Sequence, residues 1–285
     1  MSQSEGSLAP ERPRQTLGLA LLWSEITVLF RRKRTWAMLL ALAVVPVLIA
    51  VAVRVSGPSS GGGPSFLDEI SQNGLFVSIV GLSVCIPLFL PLTVGVVAGD
   101  TIAGEAGAGT LRYLLIAPAG RIRLLIVKYL AAAVFCLAAT VAVALAGALI
   151  GIALFPIGPV TLLSGSSIGI GESIGRSLLI ALFVTVSLLG LSAIGLFIST
   201  LTDVPVGAMA ATIVLAVVAQ VLDSLPQLAW LHPWLFSHYW LSFGDLLRQP
   251  ISWQSFGDNA LLQAGYIAIF GALAYGRFST KDILS

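Results

Sequence analysis

The residues best suited to chemistry in this chain lie in one charged segment, residues 99–128, with the sequence GDTIAGEAGAGTLRYLLIAPAGRIRLLIVK. Two acids, Asp100 and Glu105, precede four bases, and the flanking runs, residues 70–98 and 129–171, carry no charged side chain. The four bases are Arg112, Arg121, Arg123 and Lys128. Charged side chains of both signs, set among glycines at the edge of an apolar region, can form ion pairs and hydrogen bonds with another protein. The segment is therefore the predicted docking site for a soluble partner.

The rest of the composition predicts a membrane protein. Charged residues make up 10% of the 285 and hydrophobic ones 57%, and the mean hydropathy is +0.99. Soluble domains carry about 25% charged residues. Six charge-poor windows are long enough to cross ~30 Å of hydrocarbon at ~1.5 Å per residue. They are residues 35–53, 75–98, 129–155, 178–201, 204–222 and 260–276. We expect an all-α integral membrane protein with six transmembrane helices.

A seventh uncharged window, residues 224–244, is not predicted to span. It contains Pro226 and Pro233, both histidines of the chain and three of its six tryptophans. Prolines interrupt helices, and tryptophan favours the membrane–water interface. The region 223–258, between spans five and six, is therefore predicted to form a pair of short helices in the outer leaflet.

The distribution of lysine and arginine predicts the orientation. With six spans and the N-terminus inside, 12 of the 15 basic residues fall on the inner side and 3 on the outer side. Inner segments of membrane proteins are enriched in Lys and Arg, so both termini are predicted to be cytoplasmic. The bases follow this membrane pattern without forming a soluble basic patch, so no nucleic-acid partner is expected.

The N-terminal region is predicted to contain a disordered cytoplasmic stretch, residues 1–16, before a single membrane domain, residues 17–285. Residues 17–30 (LGLALLWSEITVLF) are mostly apolar and run into the bases at 31–34. This pattern favours an amphipathic helix in the inner interface. The alternative is an N-terminal extension of the first span.

Several kinds of site are excluded or disfavoured by what the sequence lacks. No glycine precedes any of the three lysines, so there is no phosphate-binding loop, and Gly104, Gly107 and Gly109 are in the wrong order for a dinucleotide fingerprint. The predicted spans contain no Asp, Glu, Lys, Arg or His in their interiors. That disfavours a proton- or sodium-coupled antiporter, and it leaves no acid/base pair, nucleophile triad or metal cluster for an intramembrane enzyme.

Three polar features outside the charged segment receive structural interpretations. His232 and His238 lie six residues apart with no Cys nearby, and we expect interfacial histidines instead of a metal site. Glu172 and Arg176 have the i,i+4 spacing that pairs on a helix, and we expect a solvated pair at the membrane rim. Glycines in the third and fourth predicted spans permit close helix packing, either within the chain or at a dimer seam.

Within the charged segment, Glu105 has no obvious partner on its own helix. Thr101 and Gly109 lie four residues away on either side, and Arg112 lies seven away. An unpaired carboxylate at the edge of the membrane region is available for a contact with another protein.

This segment resembles the corresponding part of the membrane subunits of ATP-binding cassette (ABC) transporters of the second, exporter type. The matching residues, in chain order, are Glu105, Gly109–Thr110–Leu111, Pro118, Gly120–Arg121 and Lys128. The tail Phe278–Ile283, of the form Phe-x-x-Lys-Asp-Ile, is also similar. The resemblance covers the chain from about Leu17 and agrees with the six spans and the N-terminal helix.

The resemblance implies a permease subunit with a cytoplasmic coupling helix between spans two and three. The coupling residues it implies are Asp100, Glu105, Gly109, Thr110, Leu111 and Arg112. The implied partners are two copies of an ABC ATPase subunit, a second permease copy and the lipid bilayer. ATP and Mg²⁺ would bind the ATPase, so this chain would need no cofactor and would not itself be an enzyme. One departure is the high glycine content of the segment, because each Gly costs a helix ~1 kcal/mol relative to Ala.

The implied function is export of a hydrophobic or amphiphilic substrate, such as a drug, an antibiotic or a lipid, across a prokaryotic plasma membrane. Two alternatives of other classes remain open. One is a secondary multidrug carrier, and the other is a non-transporting membrane anchor or sensor subunit for an ATPase.

Overall fold

The computed structural model describes residues 16–56, 73–110, 120–158, 160–161 and 167–280. Eight α-helices are present in these ranges: α1 Thr16–Arg31, α2 Lys33–Ser56, α3 Phe76–Cys85, α4 Phe89–Gly107, α5 Arg121–Leu154, α6 Ile170–Leu201, α7 Pro205–Asp223 and α8 Gln254–Thr280. A two-stranded antiparallel pair, β1 Val160–Thr161 and β2 Ser167–Ile168, precedes α6. The predicted disordered stretch, residues 1–16, falls outside the described residues except for Thr16. Most of the loop after the first span also lies outside them.

The N-terminal helix α1 is separate from the first span. It ends at Arg31, and α2 begins at Lys33 after a bend. The side chains of Thr35 and Trp36 donate hydrogen bonds back across this bend to the carbonyls of Leu29 (2.6 Å) and Phe30 (2.8 Å). Because α1 packs mainly against α5, the structure favours a separate interfacial helix over an extension of the first span.

The long helices agree with an all-α membrane protein. Among the described residues, five helices are long and apolar enough to cross a membrane. They are Lys33–Val55, Phe89–Gly107, Arg121–Leu154, Ile170–Leu201 and Pro205–Asp223. The helix α3 is apolar but shorter, and α8 has 27 residues with several polar side chains in its first half.

The second predicted span, residues 75–98, differs from the expectation of one continuous helix. It consists of α3 and α4, separated by a break at residues 86–88. Pro87 lies in this break, where its missing N–H removes a backbone hydrogen bond and its ring crowds the preceding turn, which kinks or interrupts a helix. The side-chain amide of Gln220 on α7 donates a hydrogen bond to the Pro87 carbonyl. That bond supplies a partner for a carbonyl in the broken stretch, as irregular backbone in a membrane requires.

The helix α6 forms the centre of the bundle. In its most apolar stretch 72% of the residues are buried within the chain, against 22% in α2 and in α7. It packs against α4, α5, α7 and α8, whereas α2 packs on α3 and α5 at one side. The lipid-facing surface is therefore contributed mainly by the peripheral helices.

The glycine pair of the third predicted span packs within the chain. A Cβ on Gly151 would lie 1.9 Å from the carbonyl oxygen of Gly74, and one on Gly147 would lie 2.7 Å from Cα of Ser78. The start of α3 can approach α5 this closely only because both positions lack a side chain. For these two glycines, the structure selects intramolecular packing over a dimer seam.

The region between α7 and α8 forms three short 3₁₀ helices in place of the expected helix pair. They are Pro226–Leu228, His232–Trp234 and Ser242–Leu247. Pro226 and Pro233 each lie in the first turn of one of them, the position a proline tolerates. We call these three helices and their connections the 3₁₀ cap, and the end of the bundle that carries them the capped end.

Candidate functional site

The site lies at the opposite end of the bundle, where the last turns of α4 meet the bend between α1 and α2 and the start of α5. We call this the basic end. The side chain of Arg121, at the start of α5, donates hydrogen bonds to the carbonyls of Phe278 (3.2 Å) and Ser279 (2.5 Å), so the end of α8 also lies here. The sequence-predicted residues Asp100 and Glu105 both lie on α4 at this end.

Asp100 joins α4 to the bend after α1. Its carboxylate accepts hydrogen bonds from Arg32, at 2.9 Å, and from Arg34. The carboxylate is 12% exposed, while the side chains of Arg32 and Arg34 are nearly half exposed. Asp100 is therefore held by two bases that remain in contact with solvent.

Lys128 joins three helices. Its ammonium group lies 2.8 Å from Oε2 of Glu25 on α1 and 3.1 Å from Oε1 of Glu105 on α4. The lysine side chain is only 6% exposed, whereas its two acid partners are somewhat more accessible. The expectation that Glu105 is unpaired is therefore wrong. A sequence spacing argument restricted to one helix misses a partner that lies on α5.

The segment after α4 folds back onto Glu105. The hydroxyl of Thr110 donates a hydrogen bond to the Glu105 carboxylate, and the Thr110 N–H donates one to the Glu105 carbonyl at 3.0 Å. Gly109 has φ +70°, a left-handed conformation that ends the helix and that glycine adopts without strain. Glu105, Gly109 and Thr110 thus form one unit. The other two predicted coupling residues, Leu111 and Arg112, lie outside the described residues.

Close packing explains why glycine occupies two positions inside α4, Gly104 and Gly107. A Cβ on Gly104 would lie 2.6 Å from Oδ1 of Asp100, and one on Gly107 would lie 3.2 Å from the Asp203 carbonyl oxygen. The first glycine leaves room for the carboxylate that binds the two arginines. The second lets the end of α4 approach the turn between α6 and α7. The high glycine content therefore accompanies close packing within the chain.

Ser199, a residue that no sequence pattern selected, connects α4 to the central helix α6. Oγ of Ser199 on α6 accepts hydrogen bonds from the N–H groups of Ile102 (2.9 Å) and Ala103 (2.8 Å). It donates one to the Gly99 carbonyl at 2.8 Å. Ser199 is fully buried and contacts α4 between Asp100 and Glu105. A side chain that inserts into the backbone ladder of a helix in this way marks a place where the helix can bend.

The charges of this cluster balance. The carboxylates of Glu25, Asp100 and Glu105 face the bases Arg32, Arg34 and Lys128. A small open cleft between α1, α4 and α5 is lined by these side chains. Every acid of the cluster pairs with a base on another element. A displacement of α4 can therefore be transmitted through these ion pairs to α1 and α5.

The structure describes two polar features at the capped end that the sequence analysis interpreted. Arg176 is not a solvated rim residue, because its side chain is 5% exposed and donates to the carbonyls of Leu246 and Arg248, each at 2.7 Å, as well as to Glu172. His238 pairs with Asp223 at 2.9 Å. No group of three potential metal-binding side chains occurs in the part of the chain that the structure describes.

Comparison with known proteins identifies the family. No curated protein matches the chain. A family model described as "ABC-2 family transporter protein" matches residues 21–219, which extend from α1 to the last turns of α7 and include the whole ion-pair cluster. The match covers well over half of the 285 residues. The chain therefore belongs to the ABC-2 family of transporter proteins, as a membrane permease subunit.

Proposed function

We propose that this permease is the membrane part of an exporter in which two copies of a separate ATPase subunit supply the energy. A second permease copy, identical or similar, completes the transport path. The observation that carries the proposal is the charge-balanced cluster at the end of α4, in a chain of the ABC-2 family. It connects the predicted coupling residues Asp100 and Glu105 to three other elements of the membrane domain.

In this proposal the ATPase binds at the basic end, against the turn that follows α4. ATP and Mg²⁺ bind on the ATPase, and its closure pushes the unit made by Glu105, Gly109 and Thr110. Lys128 carries that displacement to α1 and α5, and Ser199 carries it to α6. Glu105 thus acts as a positioning residue, because its carboxylate is already shared between Lys128 and Thr110.

The proposed substrate is hydrophobic or amphiphilic. Open grooves on the bundle are lined almost entirely by apolar side chains, including one of about 330 Å³ between α5, α6 and α8. Such surfaces suit a molecule that partitions into the bilayer. We propose export across a prokaryotic plasma membrane, with the basic end and both termini in the cytoplasm, as the Lys and Arg distribution predicts.

The first experiment identifies the energy source. The chain is purified from its native membrane with whatever ATPase accompanies it, and the pair is reconstituted in vesicles with a fluorescent phospholipid and a lipophilic dye as probes. We expect probe movement with ATP and none with an ion gradient alone. Gradient-driven movement would instead indicate a secondary carrier, and ATPase binding without movement would indicate an anchor subunit.

The second experiment addresses the role of Glu105. The substitution Glu105→Lys places a like charge beside Lys128, and we expect loss of ATP-dependent transport with membrane insertion retained. Loss of one partner of a buried charged contact costs about 2–5 kcal/mol, and the partial exposure here places the effect at the lower end. Wild-type ATPase assembly, turnover and transport in this variant would contradict the proposal.

A double-mutant cycle then separates positioning from direct contact with the ATPase. Glu105→Gln, Lys128→Met and the double variant are compared for transport-coupled ATP turnover. If Glu105 acts through Lys128, the double variant loses about as much as the worse single variant. Additive losses would show that Glu105 contributes independently of Lys128.

A further inference from the structure

A groove at the capped end has one acid at its mouth and an apolar floor. It has a volume of about 640 Å³ and lies between the first half of α8 and the 3₁₀ cap. The α8 side is formed by Asp258, Leu261, Leu262, Gly265 and Ile269. Spacings of three, four, seven and eleven residues from Asp258 place these positions on one helix face.

The opposite wall is aromatic and fixed. Trp234 and Tyr239 line it from the cap. The hydroxyl of Tyr266 on α8 donates a hydrogen bond to the Trp234 carbonyl at 2.8 Å, and its ring stacks on Phe270. The cap is therefore held at a set distance from α8, and the groove is part of the folded chain.

Asp258 is available to a ligand. Its side chain is exposed and has no hydrogen-bond or ion-pair partner among the described residues. It lies in the second turn of α8, beyond the first turn where an acid best complements the helix dipole. No Lys, Arg or His lines the groove. An isolated carboxylate in a groove that aromatic rings also line favours a cationic group, through charge attraction and cation–π contact.

The length of the apolar floor indicates the rest of the ligand. Eleven residues of helix separate Asp258 from Ile269, which corresponds to ~16 Å. This is about half of the ~30 Å hydrocarbon core, or the depth of one leaflet. Gly265 lies midway, and a Cβ there would meet no atom within 4 Å, so this glycine leaves the floor open.

We propose that this groove binds single-chain amphiphiles with an ammonium headgroup. The headgroup lies at Asp258 beside Trp234 and Tyr239, and the alkyl tail follows Leu261, Gly265 and Ile269. A lipid phosphate is disfavoured because it would face Asp258 in a groove that no Lys, Arg or His lines. Binding is a property of this chain alone, whereas a role in transport rests on the function proposed above.

Binding is measured on the full-length chain purified in a non-ionic detergent. The probe is 4-bromododecyltrimethylammonium, whose bromine lies near the headgroup and quenches tryptophan fluorescence at short range, and 4-bromododecyl sulfate is the anionic counterpart. We expect saturable quenching that favours the cation, with most of the saturable signal lost in Trp234→Phe. Equal affinity for the two probes would overturn the proposal.

Two variants locate the headgroup and the tail. Asp258→Asn should weaken cation binding about fivefold, the size expected for one accessible ion pair. Gly265→Leu should weaken it about tenfold or more by filling the floor. The matched control is Gly276→Leu, on the same helix and also in open space, which lines neither this groove nor the one between α5, α6 and α8. It should bind like the wild type.

Unchanged binding in both Asp258→Asn and Gly265→Leu, with thermal unfolding confirming that each is folded, would also overturn the proposal. Should one variant fail to fold, the other and the comparison of the two probes still decide it. ATP-driven transport that is absent while the cation binds as expected would count against the proposed function and leave the binding site established.

Discussion

The two ends of the helix bundle are held together by different polar chemistry. At the basic end, the charged cluster joins side chains to side chains, because Asp100 holds two arginines and Lys128 holds two glutamates, while Arg121 and Ser199 bind backbone groups. At the capped end, buried side chains mostly bind backbone carbonyls. Arg176 binds those of Leu246 and Arg248, and the indole of Trp240 donates to the carbonyl of Ser187 at 3.0 Å.

This difference bears on which end can move. An ion pair at the partly exposed basic end can exchange one partner for another, or for water, without leaving a backbone group unsatisfied. A buried carbonyl that loses its donor keeps its full desolvation penalty, about 1–3 kcal/mol. The basic end therefore suits a region that rearranges when a partner binds, and the capped end suits a fixed frame.

The amide network at the capped end supports the same conclusion. The Nδ2 amide of Asn259 donates to Ser187 Oγ at 2.8 Å, and Nε2 of Gln263 donates to the Phe236 carbonyl at 2.9 Å. Both amide side chains are almost completely buried. They connect α8, α6 and the 3₁₀ cap inside the bundle, where water cannot replace a lost partner.

The largest expected effect is a difference in thiol labelling between the two ends, because we expect them to lie on opposite sides of the membrane. Cysteines are introduced singly at Lys33, at the basic end, and at Gln254, at the capped end, after both native cysteines are replaced. An impermeant thiol reagent added outside intact cells should label the Gln254 position and leave the Lys33 position unlabelled. The same result at both positions would mean that the two ends do not lie on opposite sides.

Arg176→Met tests the rigidity of the capped end. It removes the donors to two carbonyls, and we expect a loss of about 3 kcal/mol in unfolding free energy. That corresponds to a fall of roughly 5–10 °C in the Tm of the purified chain. Arg248→Met is the matched control, because Arg248 is largely exposed and pairs with Asp245 on the surface. A similar Tm for the two variants would contradict the assignment of a structural role to Arg176.

Lys128→Met tests the centre of the basic end. It leaves Glu25 and Glu105 without their shared cation, and we expect a smaller loss of about 2 kcal/mol, since both carboxylates retain some contact with water. Thermal unfolding measures the loss, and Lys33→Met on the exposed start of α2 serves as the control. A Lys128→Met chain as stable as that control would show that the cluster contributes nothing to the resting structure.

Asp100→Asn should have the smallest effect, about 1 kcal/mol, because its arginine partners are nearly half exposed. A salt series tests whether this effect is electrostatic. The difference in Tm between wild type and Asp100→Asn should narrow as salt is raised from 0.1 to 1 M, since the Debye length falls from ~10 Å to ~3 Å. A difference that does not depend on salt would indicate that packing near Gly104, not charge, dominates at this site.

Several features were predictable because their causes are local in the sequence. The scarcity of charge and the long apolar runs identify a membrane protein, and the short polar link at Thr202–Asp203 agrees with α6 ending at Leu201 and α7 beginning at Pro205. The prolines and tryptophans of residues 224–244 exclude a regular spanning helix there. The position of Asp100 and Glu105 at one end of the helix bundle also follows from the charge pattern alone.

The partners of these residues were decided only by the tertiary structure. The pairing of Glu105 with Lys128, the contact of Ser199 with the backbone of α4 and the burial of Arg176 all join residues from different elements. A sequence pattern reports which face of a helix is apolar, but it does not report which helix lies opposite that face. The break at Pro87 also depends on a residue from another element. The Pro87 carbonyl lacks a helical partner, and Gln220 on α7 supplies a hydrogen-bond donor for it. Composition and periodicity fix the class of this protein, and helix packing fixes which of its few polar groups act together.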